Sequence, residues 1–272
     1  MTILNITFGQ KDFYSAKYFL PIAAGGGRYD IQCDDKGDNI SSRNNTFGEP
    51  TSVYWGWKNL KDVDIIGMSH YRRYLMPEKG IFRYIPYTKT FYNITWRNFC
   101  SSNYSPESFC KYLSSKRYDF IFAKRWHFEG LLIEQQFLQH HPFPEDLTMT
   151  RSILMKHHPE AVDCWDDFLK GSDAYCCCLF ICNWSHFDHL CNWMFPMLFE
   201  IEGIIDIKKY DKYQQRIIAF LYERLLNVYL VTHEMKIKEV PFYMVGEGNY
   251  KSILRQDIGA KIWTFVQKFR FR

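Results

Sequence analysis

The stretch IIGMSHYRRYL, residues 65–75, decides the fold, because it begins like a buried strand and changes character within one residue. Apolar and small residues in this region predict a strand over Asp64–Met68 inside an α/β sheet. His70, Arg72 and Arg73 follow that strand directly. In open α/β sheets, ligands bind beyond the carboxyl ends of the strands. The sequence therefore predicts that these three side chains stand at a ligand-binding edge.

Two adjacent arginines at such an edge indicate an anionic ligand. The planar guanidinium group of arginine matches the oxygens of a phosphate or diphosphate and stays charged at any working pH. We therefore expect His70, Tyr71, Arg72 and Arg73 to form a diphosphate site. The alternative is that the arginine pair is solvated surface charge or is held by carboxylates of the protein.

The composition of the 272-residue chain suits one large globular domain, or one domain with a smaller helical annex. Apolar residues make up 47% and charged residues 24%, which fits a sizeable core, whereas the aromatic share of 18% is high. The net charge of +4 is too small to indicate wholesale nucleic-acid binding, and no nucleic-acid-binding signature occurs. We expect one catalytic-sized unit with no nucleic acid among its partners.

The segment 1–27 lacks the basic and apolar regions of a secretory signal. No run approaches the roughly 18 uncharged apolar residues of a membrane span. We therefore expect a cytoplasmic protein. Nine cysteines occur, three of them consecutive at 176–178, and none shows the paired spacing of a zinc site. We interpret them as reduced and mostly buried thiols.

The first half of the chain is rich in predicted strands. The segments ILNITF and FLPIAA each predict a strand, and the second runs into three glycines at 25–27. Gly25 and Gly26 would let a ligand approach the backbone closely. The three glycines could equally form a plain loop, because they lack the G-x-G-x-x-G spacing of a dinucleotide fingerprint.

A polar loop and an aromatic helix separate these glycines from the strand at 64–68. Aspartate, asparagine and serine are frequent over 34–45, and residues 49–59 predict a helix with Pro50 in its first turn. The polar residues could be turn formers, and the tryptophans of the helix could be core. That interpretation leaves HYRRYL unexplained, since a structural arginine pair would need carboxylate partners in the same place.

Three motifs occur here in fixed order: D-x-G-D-N-I-S-x-x-N, E-x-T-x-x-Y-W-x-W-K-N and I-G-x-x-H-Y-R-R-Y. Together they resemble a bacterial capsular and exopolysaccharide glycosyltransferase family that has long been catalogued as a domain of unknown function. The resemblance covers about residues 20 to 240. Its further segments are RYDFIFAK at 117–124, HHPFPEDL at 140–147, FDHLCNWMFPMLFEIE at 187–202 and YQQRIIAFLYERLLNVYL at 213–230.

The resemblance implies a nucleotide-diphospho-sugar glycosyltransferase with a GT-A-like α/β fold, a Rossmann-type mixed sheet flanked by helices, and a helix-rich C-terminal half. It implies transfer of a hexose, galactose as pyranose or furanose, from a UDP-sugar to a growing surface polysaccharide or to a lipid-linked or lipopolysaccharide glycan. We expect one transferase domain over 1–255, with a donor part at about 1–125 and an acceptor part at about 126–255. The expected donor and diphosphate residues are Gly25, Gly26, Asp38, Asn39, Asn44, Tyr54, Trp55, Lys58, His70, Tyr71, Arg72 and Arg73.

The chain departs from the family pattern at one segment. Before the motif F-x-x-Y-C-x-W-L-F, the family normally contains Asn-Met-Phe-Ile, whereas this chain reads Cys177-Cys178-Leu179-Phe180-Ile181. If the family asparagine contacts the donor sugar, its absence leaves the identity of the donor open.

A metal ion is a further question, because many GT-A enzymes hold Mn²⁺ or Mg²⁺ with an Asp-x-Asp motif at the end of a strand. Asp62-Val63-Asp64 matches that motif by letters, but it precedes the strand and so belongs to the amino end. The cations at 70–73 could stabilise a leaving diphosphate instead. We predict that no metal is required. The ligands of Mn²⁺ or Mg²⁺ would otherwise be Asp34, Asp35 and Asp38.

An inverting transfer needs a base for the acceptor hydroxyl, and a carboxylate near a cleft suits that role. The two catalytic candidates are Glu223, within a predicted helix, and Asp146, in a loop beside two histidines. Asp146 could instead be a helix N-cap before Leu147. Glu223 could instead be the ion-pair partner of Arg216 or Arg224.

The second half of the chain is predicted to be mostly helical, and the apolar spacing over 217–228 predicts a helix with one face on the core. The tail at 256–272 combines an apolar stripe with basic residues, which is typical of a helix on an anionic membrane surface. Docking on its own domain, or on a partner, is an equal alternative. The protein could thus be peripheral on the inner face of the cell membrane.

A noncatalytic nucleotide-sugar or carbohydrate-binding protein is the alternative function. Such a protein would share the aromatic residues and the diphosphate site, but it would not need a carboxylate on the acceptor side. A phosphotransferase is disfavoured, because the chain has no Walker A glycine–lysine loop.

Overall fold

The structure is a computed structural model that describes residues 1–7, 14–26, 30–77, 89–102 and 104–249. The predicted membrane-surface tail at 256–272 lies outside these residues. The strands within them are β1 Thr2–Thr7, β2 Phe19–Ala23, β3 Gln32–Cys33, β4 Ile65–His70, β5 Arg73–Leu75, β6 Phe91–Thr95, β7 Phe120–Ala123, β8 Trp126–His127, β9 Asp173–Ala174, β10 Phe180–Asn183, β11 Ile237–Val240 and β12 Phe242–Gly246.

The α-helices within the described residues are α1 Asn44–Phe47, α2 Pro50–Asn59, α3 Trp96–Cys100, α4 Glu107–Ser114, α5 Ile133–His140, α6 Pro144–His157, α7 Val162–Leu169, α8 Trp184–Ile204 and α9 Ile217–Thr232. The helix predicted at 49–59 is confirmed as α2, with Pro50 at its first position, where the missing N–H of proline costs nothing. None of these described helices is long and apolar enough to cross a membrane.

The strand predicted at Asp64–Met68 is confirmed as β4, which runs two residues further, to His70. β1 lies beside β4 in parallel, with Ile6 opposite His70. β2 pairs in parallel with β1, and β3 pairs in parallel with β2. Parallel strands end on the same side of a sheet, so the ends of these four strands form one rim. We call this rim the carboxyl edge.

The central sheet is mixed, with the strand order β11-β7-β10-β4-β1-β2-β3. β10 runs antiparallel to both β4 and β7, with Phe180 opposite Met68, so the chain before β10 approaches the carboxyl edge. β4 also turns back into β5, where His70 and Arg73 are opposite each other. β5 pairs with β12, which pairs with β6. This architecture confirms the predicted α/β class with its mixed sheet.

Both faces of the sheet are covered, which explains why β1 and β4 are buried along almost their whole length. Leu4, Ile66 and Met68 pack into a large core with α8 and α9. Ile3 and Ile181 pack into a smaller core on the other face with α3 and α4. The site described below lies on the face with the large core.

The second half of the chain is helix-rich, as predicted, but α9 is more deeply buried than its apolar spacing indicates. Ile217, Leu221 and Val228 face the core as expected, and Ile218 and Leu226 on other sides of the helix are also fully buried. α9 contacts α1, α7 and α8 as well as the sheet core, and these neighbours surround it. The prediction of a single buried face was therefore wrong for this helix.

Candidate functional site

The carboxyl edge brings together side chains from four separate parts of the sequence. We call this group the edge cluster. His70 and Arg73 come from the β4–β5 hairpin, and Glu49 is the residue before α2. Arg216 is the residue before α9, and Glu223 lies in the middle of that helix. Cys177 completes the cluster from the chain before β10.

His70 is buried, with 7% of its surface exposed, and its Nε2 lies 2.7 Å from the carbonyl oxygen of Cys177. A carbonyl oxygen only accepts hydrogen bonds, so the proton of the neutral ring is on Nε2. Burial lowers the pKa of His70, Glu49 opposes that effect, and Arg73 adds to it. The imidazole is therefore neutral at pH 7, and its Nδ1 remains an acceptor.

Arg73 is a cation whose charge acts on three members of the cluster, His70, Cys177 and Glu223. It is paired across the hairpin with His70, so both side chains point to the same face of the sheet. Burial raises the pKa of the Cys177 thiol to about 11, although the neighbouring Arg73 guanidinium opposes that rise. Cys177 is thus a neutral thiol at pH 7, and the positive charge of Arg73 is not neutralised by it.

The structure separates the two arginines of HYRRYL. Arg72 occupies the exposed turn of the hairpin, with its guanidinium 5.1 Å from the centre of the Tyr71 ring. Its backbone carbonyl accepts a hydrogen bond from the N–H of Val245. Arg73 points into the edge cluster, whereas Arg72 and Tyr71 lie at its margin.

Glu49 and Arg216 form an ion pair that sequence analysis did not identify. Nη2 of Arg216 lies 3.2 Å from Oε2 of Glu49, and the two residues are 167 positions apart. The Glu49 side chain is 17% exposed and that of Arg216 is 42% exposed. Both charges affect the pKa of His70, so the pair lies beside that imidazole. In the sequence, the only local sign of Glu49 was its position directly before Pro50, at the start of a predicted helix.

Glu223, one of the two predicted catalytic carboxylates, belongs to the edge cluster. Its Oε1 accepts a hydrogen bond of 2.6 Å from the N–H of Cys177, and its Oε2 lies 3.1 Å from Nη1 of Arg224. Burial raises the pKa of Glu223, although Arg224 and the Cys177 N–H oppose the rise. The ion pair with Arg224 that the sequence left open is therefore present.

The cluster holds a strained turn in place. Cys177 and Cys178 both have left-handed backbone angles, with φ of 73° and 45°. Non-glycine residues adopt that region at a cost of about 1–3 kcal/mol each and concentrate at functional sites. His70 binds the carbonyl of Cys177 and Glu223 binds its N–H, so the two side chains fix this turn from opposite sides.

Asp146, the second predicted catalytic carboxylate, lies elsewhere. It stands in the first turn of α6, which begins at Pro144, so it is not the N-cap before Leu147 that the sequence left open. It is 2% exposed, and both its oxygens accept hydrogen bonds from the Tyr210 hydroxyl, at 2.7 and 2.8 Å. Lys209 lies 3.3 Å from Oδ1. None of these described partners belongs to the edge cluster.

The glycine turn after β2 is organised by a buried aspartate. The N–H groups of Gly25 and Gly26 donate to Oδ1 of Asp34 at 2.9 and 3.1 Å. Three further donors to the same carboxylate are the hydroxyl groups of Ser41, Thr51 and Ser52. The glycine N–H groups therefore bind the protein itself, and Asp34 is fully buried, so it is not placed to hold a metal ion.

Gly25 also needs to be glycine. Its φ is +82°, and a Cβ there would lie 2.8 Å from the side chain of Asn44. Asn44 in turn donates to the carbonyl of Gly48 at 2.8 Å and to Thr51 at 3.0 Å. Asn44 thus links the glycine turn to the start of α2.

The other predicted donor residues stabilise the loop between β3 and α2. Asp38 accepts a hydrogen bond from the Tyr54 hydroxyl at 3.1 Å, and Asn39 donates to the carbonyl of Gly37. Trp55 donates to the carbonyl of Lys36 at 2.8 Å. Lys58 lies towards the far end of α2, over the ring of Trp57. The contacts described for these side chains do not reach the edge cluster.

An open cavity of about 640 Å³ lies at the opposite, amino edge of the sheet. Asp62 and Asp64 line it and precede β4, as the sequence predicted, so the Asp-x-Asp letters do not stand at the carboxyl edge. Within the described residues, no group of three His, Cys, Asp or Glu side chains could hold a metal ion. All nine cysteines are free thiols.

Comparisons with known proteins agree with this fold. The chain superposes on a solved structure described as the WbbM bifunctional glycosyltransferase in its apo form, with a TM-score of 0.79 and 23% sequence identity. The match covers 92% of this chain and 46% of the other, so this chain spans about half the length of that protein. The chain therefore has the GT-A-like fold that the sequence predicted.

Among curated proteins, none matches the sequence significantly. The family comparison is decisive, because it covers most of the chain. Residues 2–234 match the family described as Domain of unknown function (DUF4422), and the chain belongs to that family.

Proposed function

We propose that this protein transfers a glycosyl group from a nucleoside-diphosphate sugar to a glycan hydroxyl, and that the carboxyl edge is its active site. The observation that carries the proposal is the meeting of Arg73, Arg216, Glu49, Glu223 and His70 at the ends of parallel strands. Ligands bind at that edge in open α/β sheets. Perturbed pKa values at one location are typical of functional sites.

In the proposed reaction, the acceptor oxygen forms a bond to the anomeric carbon of the donor. The bond from that carbon to the diphosphate oxygen breaks, and the nucleoside diphosphate leaves with the electron pair. Arg73 would stabilise the growing negative charge on the diphosphate, with Arg216 as a second cation and Arg72 closing from the hairpin turn. Cations that are already in position need no reorganisation as the charge develops.

Glu223 is the proposed base that takes the proton from the acceptor hydroxyl. Its raised pKa makes it a better proton acceptor than an ordinary glutamate. Each of its oxygens makes one hydrogen bond or ion pair with protein and has a second lone pair, so the carboxylate can still bind a hydroxyl. Asp146 lacks this accessibility, because it is 2% exposed and held by Tyr210.

The proposed donor is a UDP-hexose, with galactose as pyranose or furanose, and the proposed acceptor is a lipid-linked or lipopolysaccharide glycan. The support is the motif resemblance and the similarity in fold to a protein described as a bifunctional glycosyltransferase. The donor part would come from 1–125, which supplies His70 and Arg73. The acceptor part would come from 126–255, which supplies Arg216 and Glu223. The tail at 256–272 would hold the protein at an anionic membrane surface.

We further propose that transfer needs no metal ion, because the cations of the edge cluster take the role of charge neutralisation. Transfer should then continue in excess EDTA. Activity that disappears with EDTA and returns with Mn²⁺ or Mg²⁺ would contradict this part of the proposal.

A panel of nucleotides and sugar nucleotides tests the function directly. UDP and UDP-galactose should raise the melting temperature at millimolar concentration, and UDP should be released faster when a glycan acceptor is present. Stabilisation by another nucleotide but by no uridine nucleotide would overturn the donor assignment. Binding without release of UDP under any acceptor would favour the noncatalytic alternative.

A further inference from the structure

Beside the edge cluster lies a group of aromatic side chains that the proposed transfer does not use. Tyr213 is 49% exposed, and its ring centre lies 5.4 Å from that of Phe220 and 6.2 Å from that of His140. Phe220 is partly exposed and His140 is exposed. We call Tyr213, Phe220 and His140 the aromatic shelf.

The shelf is next to the proposed reaction centre because α9 supplies both. Arg216, Phe220 and Glu223 are spaced by four and three residues, which places them on one side of the helix. Arg216 and Glu223 contact Glu49 and the Cys177 N–H of the edge cluster. Phe220 lies between them along the helix, so the shelf extends outwards from the edge cluster.

The shelf is held rigidly from below. The ring of His141 stacks on that of Tyr213 at 6.1 Å and lies 4.3 Å from that of Phe220. The turn before α9 is fixed by Asp211, whose Oδ1 accepts the N–H of Tyr213 and that of Gln214, both at 2.8 Å. A single exposed aromatic residue is ordinary on a protein surface, but a supported group beside a reaction centre is suited to binding.

Asp146 contributes to the same support. Its carboxylate holds the hydroxyl of Tyr210, which precedes the Asp211 turn. Tyr210 lies three positions before Tyr213 of the shelf. Asp146, which the sequence indicated as catalytic, is therefore connected to the shelf through this tyrosine. Asp146 thus anchors the chain directly before the Asp211 turn.

We propose that the aromatic shelf binds one hexopyranose ring of the acceptor glycan, which rests on the proposed function. A hexopyranose has an apolar face of C–H groups, which can cover an exposed aromatic ring, and a rim of hydroxyl groups. Polar side chains stand where that rim would lie: His140 is exposed on the shelf, and Gln136, partly exposed, accepts a hydrogen bond from Arg224. The Tyr213 ring is tilted by 59° to that of Phe220 and by 57° to that of His140, so its exposed face is the one on which the sugar would lie, with polar groups at its margin to orient it.

The test uses methyl β-D-galactopyranoside, methyl β-D-glucopyranoside and methyl α-D-mannopyranoside as probes, measured by saturation-transfer NMR and titration. The wild-type protein should bind at least one of them at millimolar concentration. Tyr213→Ala should weaken that binding by about tenfold or more, the scale expected for loss of an aromatic anchor. Tyr213→Phe should retain it, because the ring face is unchanged. Val231→Ala, which alters an exposed side chain at the other end of α9, is the matched control.

Two results would overturn the inference: binding of none of the three glycosides to the wild-type protein, or equal binding to wild type and Tyr213→Ala. Thermal shift with UDP on the same variants separates this inference from the proposed function. If UDP stabilises all variants and glycoside binding does not depend on Tyr213, the proposal for the aromatic shelf is wrong but the proposed function is not contradicted. If no nucleotide binds while the glycosides bind through Tyr213, the proposed transfer fails and the protein has a glycan site without it.

Discussion

The carboxylate of Glu223 accepts a hydrogen bond of 2.6 Å from the backbone N–H of Cys177, and the carbonyl of the same residue binds His70. The backbone of one residue, Cys177, thus connects the only carboxylate of α9 to the end of β4. The turn that it fixes is left-handed at two consecutive cysteines, so the carboxylate both supports the backbone and lies in the proposed active site. These two roles predict different results for different substitutions.

Glu223→Gln should lower kcat by about 100-fold or more, because general-base catalysis is worth about that much and an amide cannot accept the proton. Its remaining carbonyl oxygen can still accept the Cys177 N–H, although its NH2 group then faces Arg224, so the melting temperature should fall less than in Glu223→Ala and the affinity for UDP should change little. Steady-state kinetics and thermal shift measure the two effects. Equal kcat for the variant and wild type would show that Glu223 only supports the turn.

Glu223→Ala is the companion change. It removes the acceptor for the Cys177 N–H and the ion-pair partner of Arg224, which is 9% exposed. A nearly buried charge without its partner is strongly destabilising. We therefore expect Glu223→Ala to lower the midpoint of urea unfolding clearly more than Glu223→Gln, which keeps an acceptor for the Cys177 N–H. Similar unfolding midpoints for the two variants would contradict the bridging role.

Asp34→Ala should destabilise the protein by at least about 3 kcal/mol, because several buried donors would lose their acceptor and each such group costs about 1–3 kcal/mol. The five donors are the N–H groups of Gly25 and Gly26 and the hydroxyl groups of Ser41, Thr51 and Ser52. Urea unfolding measures the loss. Asp35→Ala, which removes an exposed neighbouring carboxylate, is the control and should be nearly neutral. Equal stabilities would show that the glycine turn does not depend on Asp34.

The sequence predicted the elements of the site better than their partners. β4 and α2 could be predicted because apolar runs and a proline at a helix start are local signals. The position of His70 and Arg73 followed from the rule that ligands bind at the carboxyl edge. The Glu49–Arg216 pair joins residues 167 positions apart, and no local pattern encodes such a contact.

The match to the family motifs also did not show on which side of a helix or strand a residue lies. Lys58 belongs to a motif of the resemblance, but α2 carries it away from the end where Glu49 stands. Gly25 and Gly26 were correctly identified as a turn, yet their N–H groups bind Asp34, a partner that only the folded chain brings there. Tyr213 of the aromatic shelf begins one of the resemblance segments, but its letter did not indicate a binding role, because a single aromatic residue in a polar segment is ordinary.

His141 should make the stability of the protein depend on pH. It is fully buried, neither ring nitrogen hydrogen-bonds a described residue, and burial lowers its pKa to about 4, with Arg224 and His140 adding to the shift and Asp211 opposing it. The unfolded chain, with an ordinary histidine pKa of about 6.5, binds the proton more readily than the folded one. Stability is therefore full above about pH 6.5 and falls as the pH drops towards 4, by roughly 3 kcal/mol from this group.

His141→Leu should remove that dependence. At pH 7 we expect the variant to be as stable as wild type or about 1–2 kcal/mol more stable, because two unsatisfied polar atoms are replaced by an apolar side chain of similar size. In urea unfolding, the difference in stability between this variant and wild type should grow as the pH falls from 6.5 to 4. His140→Leu, which changes an exposed neighbouring histidine, is the control and should not show this pH-dependent gain in stability. A constant difference between His141→Leu and wild type across this pH range would exclude a buried neutral histidine.

Arg73 and Arg72 provide the sharpest test of the proposed active site, because they are adjacent in sequence and carry the same charge but face different surroundings. Arg73 points towards His70, Cys177 and Glu223, whereas Arg72 stands on the exposed turn. Arg73→Ala should lower kcat by about 100-fold or more, the scale of losing one preorganised group that stabilises transition-state charge. Arg72→Ala should lower kcat/KM much less, since an exposed charge contributes mainly to attracting the donor.

Arg73→Lys should restore only part of the activity, because an ammonium group keeps the charge but cannot form the two parallel hydrogen bonds that a guanidinium makes to a diphosphate. The effect should appear in kcat more than in the affinity for UDP, since the negative charge on the leaving diphosphate grows as its bond to the sugar breaks. Thermal shift with UDP and steady-state kinetics on the three variants separate binding from turnover. If Arg73→Ala turns over as fast as wild type while Arg72→Ala is impaired, the diphosphate lies outside the edge cluster, on the outer side of the hairpin.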